Sequence, residues 1–254
     1  MPPKRSRQNK AKVPPPPIVD DDDDIEIIKV IPAVVYDPFV TVTEEEKTAI
    51  NKQIRKMNDI EYRGVGSINS FIFNKFLGPK AQLNDEIINI FAHLLQKKHT
   101  NYYYANTLFI TINPVTDKLE YRLNYLPKNN LLFNSNYEKL FFPILDFKYA
   151  HWVLVVVDMK TKSIWYYDSL FSKKLFTRYS KLIQKALKEY NPESDFSINH
   201  VDPATPQQPN GYDCGVYVCA FMHYISNNKP LNFIPEQVIN MRYRIKEALL
   251  KGSI

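Results

Sequence analysis

Residues 151–169 read HWVLVVVDMKTKSIWYYDS, and how this stretch pairs with itself decides the fold. His151 to Met159 is almost wholly apolar and rich in valine, a pattern that suits a strand covered on both faces. Lys160-Thr161-Lys162 is a short polar turn, and Ile164 to Ser169 is its hairpin partner. A strand covered on both faces belongs in the middle of a sheet. His151 opens the first strand and Asp168 closes the second, so a turn near Thr161 brings an imidazole and a carboxylate close together.

Helical patterns lie to either side. Thr43 to Asn58 has Thr43 as N-cap and Glu46 three residues on, the spacing of a capping box. Asn84 to Lys97 carries Ile87, Ile88, Phe91, Leu94 and Leu95 at helical intervals, and Lys173 to Tyr190 is amphipathic. Asp213 opens a helix that runs to about Ser226, and Pro235 opens the last one. Helices gather toward both ends of the chain and strands in its middle, which predicts an α+β fold.

The first 39 residues are of another kind. A basic stretch from Pro2 to Lys12 is followed by Pro14 to Pro17 and by Asp20 to Asp24. Charge blocks and polyproline bury too little surface to offset the entropy of ordering, so residues 1–39 are expected to form a disordered arm and residues 40–254 a folded domain. The chain has a net charge of +6. The arm holds six basic and seven acidic side chains, leaving 27 basic against 20 acidic, or +7, in the domain. That charge suits an acidic partner, but no aromatic-interleaved basic stripe accompanies it, so nucleic acid is not the expected partner. The longest apolar run, Trp152 to Val157, is far too short to cross a bilayer, and no apolar segment follows the basic start as in a secretory signal. An intracellular monomer without membrane association is expected, with the basic start suited to nuclear import.

The only two cysteines, Cys214 and Cys219, are too close in sequence for an ordinary disulfide and should be free thiols. No His/Cys cluster has zinc spacing and no glycine-rich phosphate loop is present, so neither a metal nor a cofactor is expected. Cys214 follows Gln208-Pro209-Asn210-Gly211-Tyr212-Asp213 and precedes Gly215. With Asp213 as N-cap, Cys214 falls in the first helical turn, where unpaired N–H groups and the helix dipole favour a thiolate. Cys219 sits among Val218, Ala220 and Phe221 and is a core residue by pattern. A nucleophilic thiol needs a base, and the base an orienting group; His151 and Asp168 supply such a pair. His93 and His223 lie inside helices, and His99 and His200 at element ends with no evident carboxylate.

Three segments together resemble the ubiquitin-like-protein protease family, the SUMO-specific (sentrin-specific) cysteine endopeptidases. They are Leu83-Asn84-Asp85-Glu86-Ile87-Ile88-Asn89, then His151-Trp152 with Tyr167-Asp168-Ser169, then Pro206 to Gly215, in the family's order and spacing over roughly residues 65–250. The resemblance implies a papain-like fold, a central mixed sheet flanked by helices. It implies a nucleophile at Cys214, a general base and acid at His151, and an imidazole-orienting group at Asp168. Gln208 would supply an oxyanion donor beside the Cys214 backbone N–H. Trp152 would roof a tunnel that admits only a Gly-Gly tail, and Asp85, Gln82, Asn210 and Gly211 would contact substrate. The implied reaction is cleavage after the C-terminal Gly-Gly of SUMO, in precursor maturation or deconjugation. Another ubiquitin-like modifier, an acetyltransferase or a binding module on the same fold are the alternatives. Family members usually carry Trp just before Leu-Asn-Asp; this chain has Gln82, which bears on tunnel closure and modifier choice. In the arm, Ile25, Ile27 and Ile28 beside the aspartates resemble a SUMO-interacting motif, which would add a strand to the modifier's sheet.

Overall fold

The computed structural model describes residues 37, 39–113, 116, 118–128, 132, 136–200 and 205–254. In chain order the elements are α1 (Glu44–Lys56), β1 (Ile60–Tyr62), β2 (Gly66–Ile68), α2 (Ser70–Phe76), α3 (Asp85–Lys98), β3 (Tyr102–Tyr104), β4 (Ile110–Ile112) and β5 (Leu119–Tyr121). Then follow β6 (Lys139–Asp146), β7 (His151–Asp158), β8 (Ser163–Tyr167), α4 (Lys173–Tyr190), β9 (Ser197–His200), α5 (Cys214–Ser226) and α6 (Val238–Lys251). The fold is α+β around a mixed sheet.

That sheet has the order β3-β6-β7-β8-β9, so the valine-rich strand lies at its centre. β7 pairs antiparallel with β6 and β8, while β3 and β9 add parallel strands at the edges. Side chains alternate across β7, and each face has its own core. Trp152, Leu154 and Val156 pack with α3, α5 and α6, against Ile87, Phe91, Phe221 and Met241. Val153, Val155 and Val157 pack with α4, against Tyr179 and Ile183.

The local signals act where the sequence places them. Thr43 and Glu46 form the reciprocal capping box of α1, and Asn84 caps α3 by accepting from Ile87 N–H. Pro235 enters a short 3₁₀ turn, Pro235–Gln237, that continues into α6. Two expectations need correction. The folded unit begins before residue 40: Phe39 is buried and stacks on His223 with ring centroids 4.0 Å apart, and Asp37 pairs with Lys229 at 3.3 Å. Asp213 stands at the N-cap position of α5, yet its side chain makes no capping bond. The carboxylate is taken instead by Arg242 of α6, whose Nε and Nη2 both donate to Oδ1, and by Asn210 Nδ2, which donates to Oδ2 at 2.7 Å.

Candidate active site

The hairpin register pairs Leu154 with Tyr167 and Asp158 with Ser163, which leaves His151 and Asp168 at the same end of the sheet. His151 shares the parity of Val153, and Asp168 that of Tyr166, so both face the α4 side. Their side chains meet: His151 Nε2 lies 2.7 Å from Asp168 Oδ1, with both groups buried. α5 packs on the opposite face and brings Cys214, its first residue, to the end of the sheet, near enough for its sulfur to act on the charge of the His151 imidazole. Because Nε2 is engaged by Asp168, Nδ1 is the nitrogen left for the thiol.

Asp168 is fixed from several directions. Oδ1 also accepts Leu170 N–H at 2.9 Å, and Oδ2 accepts the Tyr166 hydroxyl at 2.8 Å. With Oδ1 accepting from His151 and Leu170 and Oδ2 from Tyr166, Nε2 is the imidazole nitrogen that carries the proton toward Asp168. Burial by itself would lower the pKa of His151. The hydrogen bonds and charges of Asp168 and Cys214 outweigh that and raise it to about 9. The raised value favours the imidazolium form beside the Cys214 sulfur. Burial drives the Cys219 thiol strongly upward, so that sulfur stays protonated inside the core.

Gln208 lies on the loop leading to α5, and its orientation is set. Its backbone N–H donates to the Ser169 carbonyl at 2.9 Å, its Oε1 accepts the Ser169 hydroxyl, and one Nε2 hydrogen goes to the Asn210 carbonyl. Among the described residues Nε2 makes this one bond, which leaves its second hydrogen as a donor. The Cys214 backbone N–H, at the first position of a helix, is free of intrahelical bonding by geometry. Two such donors are what a tetrahedral oxyanion requires. Gln207 braces the same loop, donating to the Asp168 carbonyl at 3.0 Å and accepting from the Tyr217 hydroxyl on its own carbonyl at 3.1 Å.

The candidate substrate residues form a wall beside this centre. Trp152 is buried and donates Nε1–H to the Leu83 carbonyl at 3.0 Å. Gln82 is exposed and donates Nε2–H to the Gly211 carbonyl at 3.1 Å, joining the approach to α3 with the loop before Cys214. Asn210 accepts the N–H groups of Tyr212 and Asp213 on Oδ1, which closes that loop into a tight turn. A Cβ on Gly215 would lie 2.8 Å from Leu83 Cβ and 3.3 Å from Trp152 Cδ1, so glycine lets α5 approach the wall. Asp85 stands exposed at the head of α3, apart from this network. Ile25, Ile27 and Ile28 lie outside the described residues. Tyr166, Ser169 and Arg242 belong to the site's support, a role that the sequence reading gave to none of them. Ser169 closes the recognised Tyr167-Asp168-Ser169 motif and Tyr166 stands one residue before it, whereas nothing local marks Arg242.

A Cys–His–Asp constellation with an amide donor, at the end of a mixed sheet and the head of a buried helix, defines a thiol-peptidase fold. Residues 81–251 match the model of the Ulp1 protease family, C-terminal catalytic domain. The chain belongs to the Ulp1 protease family. It is 33% identical over 186 residues to ubiquitin-like-specific protease 1 of Saccharomyces cerevisiae, covering 71% of this chain and 29% of that protein. To human sentrin-specific protease 2 it is 31% identical over 184 residues, covering 68% and 30%. The chain thus spans about three tenths of the length of these relatives. Among solved structures, SUMO protease Ulp1 with its catalytic cysteine oxidised to a sulfenic acid superposes with a TM-score of 0.69 at 28% identity, covering 84% of this chain and 96% of that one. The C-terminal Ulp1 protease domain in complex with Smt3, the yeast ortholog of SUMO, gives 0.68 at 28% identity, covering 83% and 96%.

Proposed function

We propose that this chain is a cysteine endopeptidase and isopeptidase that cleaves after the C-terminal Gly-Gly of SUMO, in precursors and in conjugates on target lysines. The observation that carries the reading is the buried His151–Asp168 bond of 2.7 Å, with Cys214 at the head of α5 acting on the same imidazole. In this reading the Cys214 thiolate attacks the carbonyl carbon of the terminal glycine. Gln208 and the Cys214 N–H hold the oxyanion, and His151 passes its proton to the departing amine, leaving a thioester. Water, deprotonated by His151, then releases the modifier's carboxylate. Asp168 keeps the imidazole in the required tautomer throughout. Residues 40–254, with Asp37 and Phe39 packed onto them, would form the catalytic domain. The segment before Asp37 would be an arm that contributes Ile25, Ile27 and Ile28 as a second SUMO contact and a basic nuclear-import segment.

The test is direct. Purified chain is incubated with a SUMO precursor and with a SUMO–lysine isopeptide conjugate, and the products are read by mass. Both substrates should be cut after Gly-Gly, and Cys214→Ser should cut neither while keeping its thermal midpoint. A wild-type chain that leaves both substrates intact would count against the reading.

A further inference from the structure

The turn leading into His151 is held more firmly than a hairpin requires. β6 ends at Asp146, which is paired in register with His151, and Phe147 to Ala150 connect them. Asp146 is 1% exposed. Its Oδ1 accepts the backbone N–H groups of Lys148 and Tyr149, each at 3.0 Å. Its Oδ2 accepts the hydroxyl of Tyr179 at 2.8 Å, with Arg178 Nη1 3.7 Å away. Tyr179 and Arg178 lie on α4, and Tyr179 is fully buried, so the carboxylate ties the turn to that helix. The chain then passes through Ala150 at φ 48°, in the left-handed region that residues with a Cβ rarely adopt. The next residue is His151. The turn's own large side chains do not anchor it, since Phe147 and Tyr149 are 43% and 55% exposed. A left-handed residue persists only where its surroundings enforce it, and the side chain bonded to the backbone just before Ala150 is Asp146.

We propose that Asp146 is a positioning residue for His151: its carboxylate holds the β6–β7 turn in the left-handed path through Ala150 that sets the imidazole between Asp168 and Cys214. The inference rests on the proposed role of His151 and goes beyond it, because Asp146 touches neither the thiol nor the imidazole and acts through the backbone. Four chains are compared: wild type, Asp146→Ala, Asp146→Asn and the double variant Asp146→Ala/Ala150→Gly. Asp146→Ala is expected to lower kcat about tenfold or more with KM unchanged, as a slightly displaced catalytic group does. Asp146→Asn keeps an Oδ1 for the two N–H groups and should recover most of that loss. The double variant should also recover much of it, because glycine enters the left-handed region without a steric cost.

Loss of the buried carboxylate's packing alone predicts no rescue by glycine, and that outcome overturns the proposal, as does an unchanged kcat in Asp146→Ala. If Asp146→Ala does not fold, Ala150→Val replaces it. Valine makes the left-handed path harder while Asp146 stays in place, so kcat should again fall, and an unchanged kcat again overturns the proposal. The rate of Cys214 alkylation by iodoacetamide at neutral pH is measured on the same chains. It reads the thiol–imidazole geometry without any modifier, so it separates failure of this inference from failure of the substrate reading. A drop in alkylation for Asp146→Ala, rescued by Ala150→Gly, supports the inference even if no SUMO substrate is cut; equal alkylation rates in all chains overturn it.

Discussion

At residue scale the chemistry depends on one imidazole with two different neighbours. Asp168 on Nε2 and Cys214 beside Nδ1 together outweigh burial and lift His151 to about 9. The sign follows: the ordinary histidine value is lower, so the stabilisation from this coupling is complete below about 6.5 and is lost as pH rises through about 9. Attack on the substrate needs the imidazolium to protonate the leaving amine, so kcat/KM should decline on the alkaline side near pH 9 rather than near pH 6.5. In Asp168→Asn, whose amide can present N–H to Nε2 and disfavours the cation, the alkaline limb should move down and kcat fall by roughly a hundredfold or more, with KM little changed. A pH–rate profile of both chains checks this. Gln82 offers a second residue-scale test. Its bond to the Gly211 carbonyl is exposed and polar, where the family's usual tryptophan would cover a Gly-Gly tail with an apolar face. Gln82→Trp is expected to raise kcat/KM toward a SUMO Gly-Gly substrate about threefold or more, since tail burial is realised at the reacting centre. A fall would mean that the Gln82–Gly211 bridge itself serves the channel of this branch.

At the scale of elements, the site stands where β7, β8 and the head of α5 converge, and the parts differ in how visible they are in sequence. The valine run of β7, the cap at Thr43 and the amphipathic α4 follow from periodicity and capping alone. β6 does not, because Pro143 argues against an interior strand. The structure shows why it is tolerated. Phe141 O accepts Ala105 N–H on the β3 side, so the proline two residues on has its missing N–H facing beyond the end of β3. The N-terminus of α5 is legible as a thiol-bearing helix head but not in its mechanics. Asp213 carries the sequence signature of a cap, and a distant arginine claims it. No local pattern can reveal a partner twenty-nine residues away. Gly215 is the element-scale test. Gly215→Ala places a methyl group 2.8 Å from Leu83 Cβ, so α5 must shift from the wall. A destabilisation of about 1–3 kcal/mol is expected. Activity should fall further than stability alone explains, because Cys214 is the adjoining residue. Thermal melts beside single-turnover rates decide, and an unchanged rate would show that the wall is loosely packed.

At the scale of the molecule, the core on the α5 face also carries the junction with the segment before α1. Phe39 stacks on His223, and burial holds that histidine down to about 4, aided by the nearby Lys229 and Lys98 charges. A histidine depressed in the fold binds its proton first in the unfolded chain. Stability should therefore decline as pH falls below about 6.5, with the loss complete only below about 4, by roughly 3 kcal/mol in all. His223→Phe keeps the stack and removes the proton, so its stability should vary less between pH 7 and pH 4; identical acid profiles from denaturant titrations would contradict this. The whole-molecule reading of a SUMO-directed thiol peptidase comes down to which sulfur reacts with which modifier. A panel of SUMO, ubiquitin and other ubiquitin-like modifiers, each ending in the same C-terminal electrophile, is mixed with the chain and the adduct mapped by mass spectrometry. One SUMO should be found covalently attached to Cys214, with Cys219 unmodified and ubiquitin unreactive. An adduct on Cys219, no adduct at all, or labelling by another modifier in preference to SUMO would contradict it.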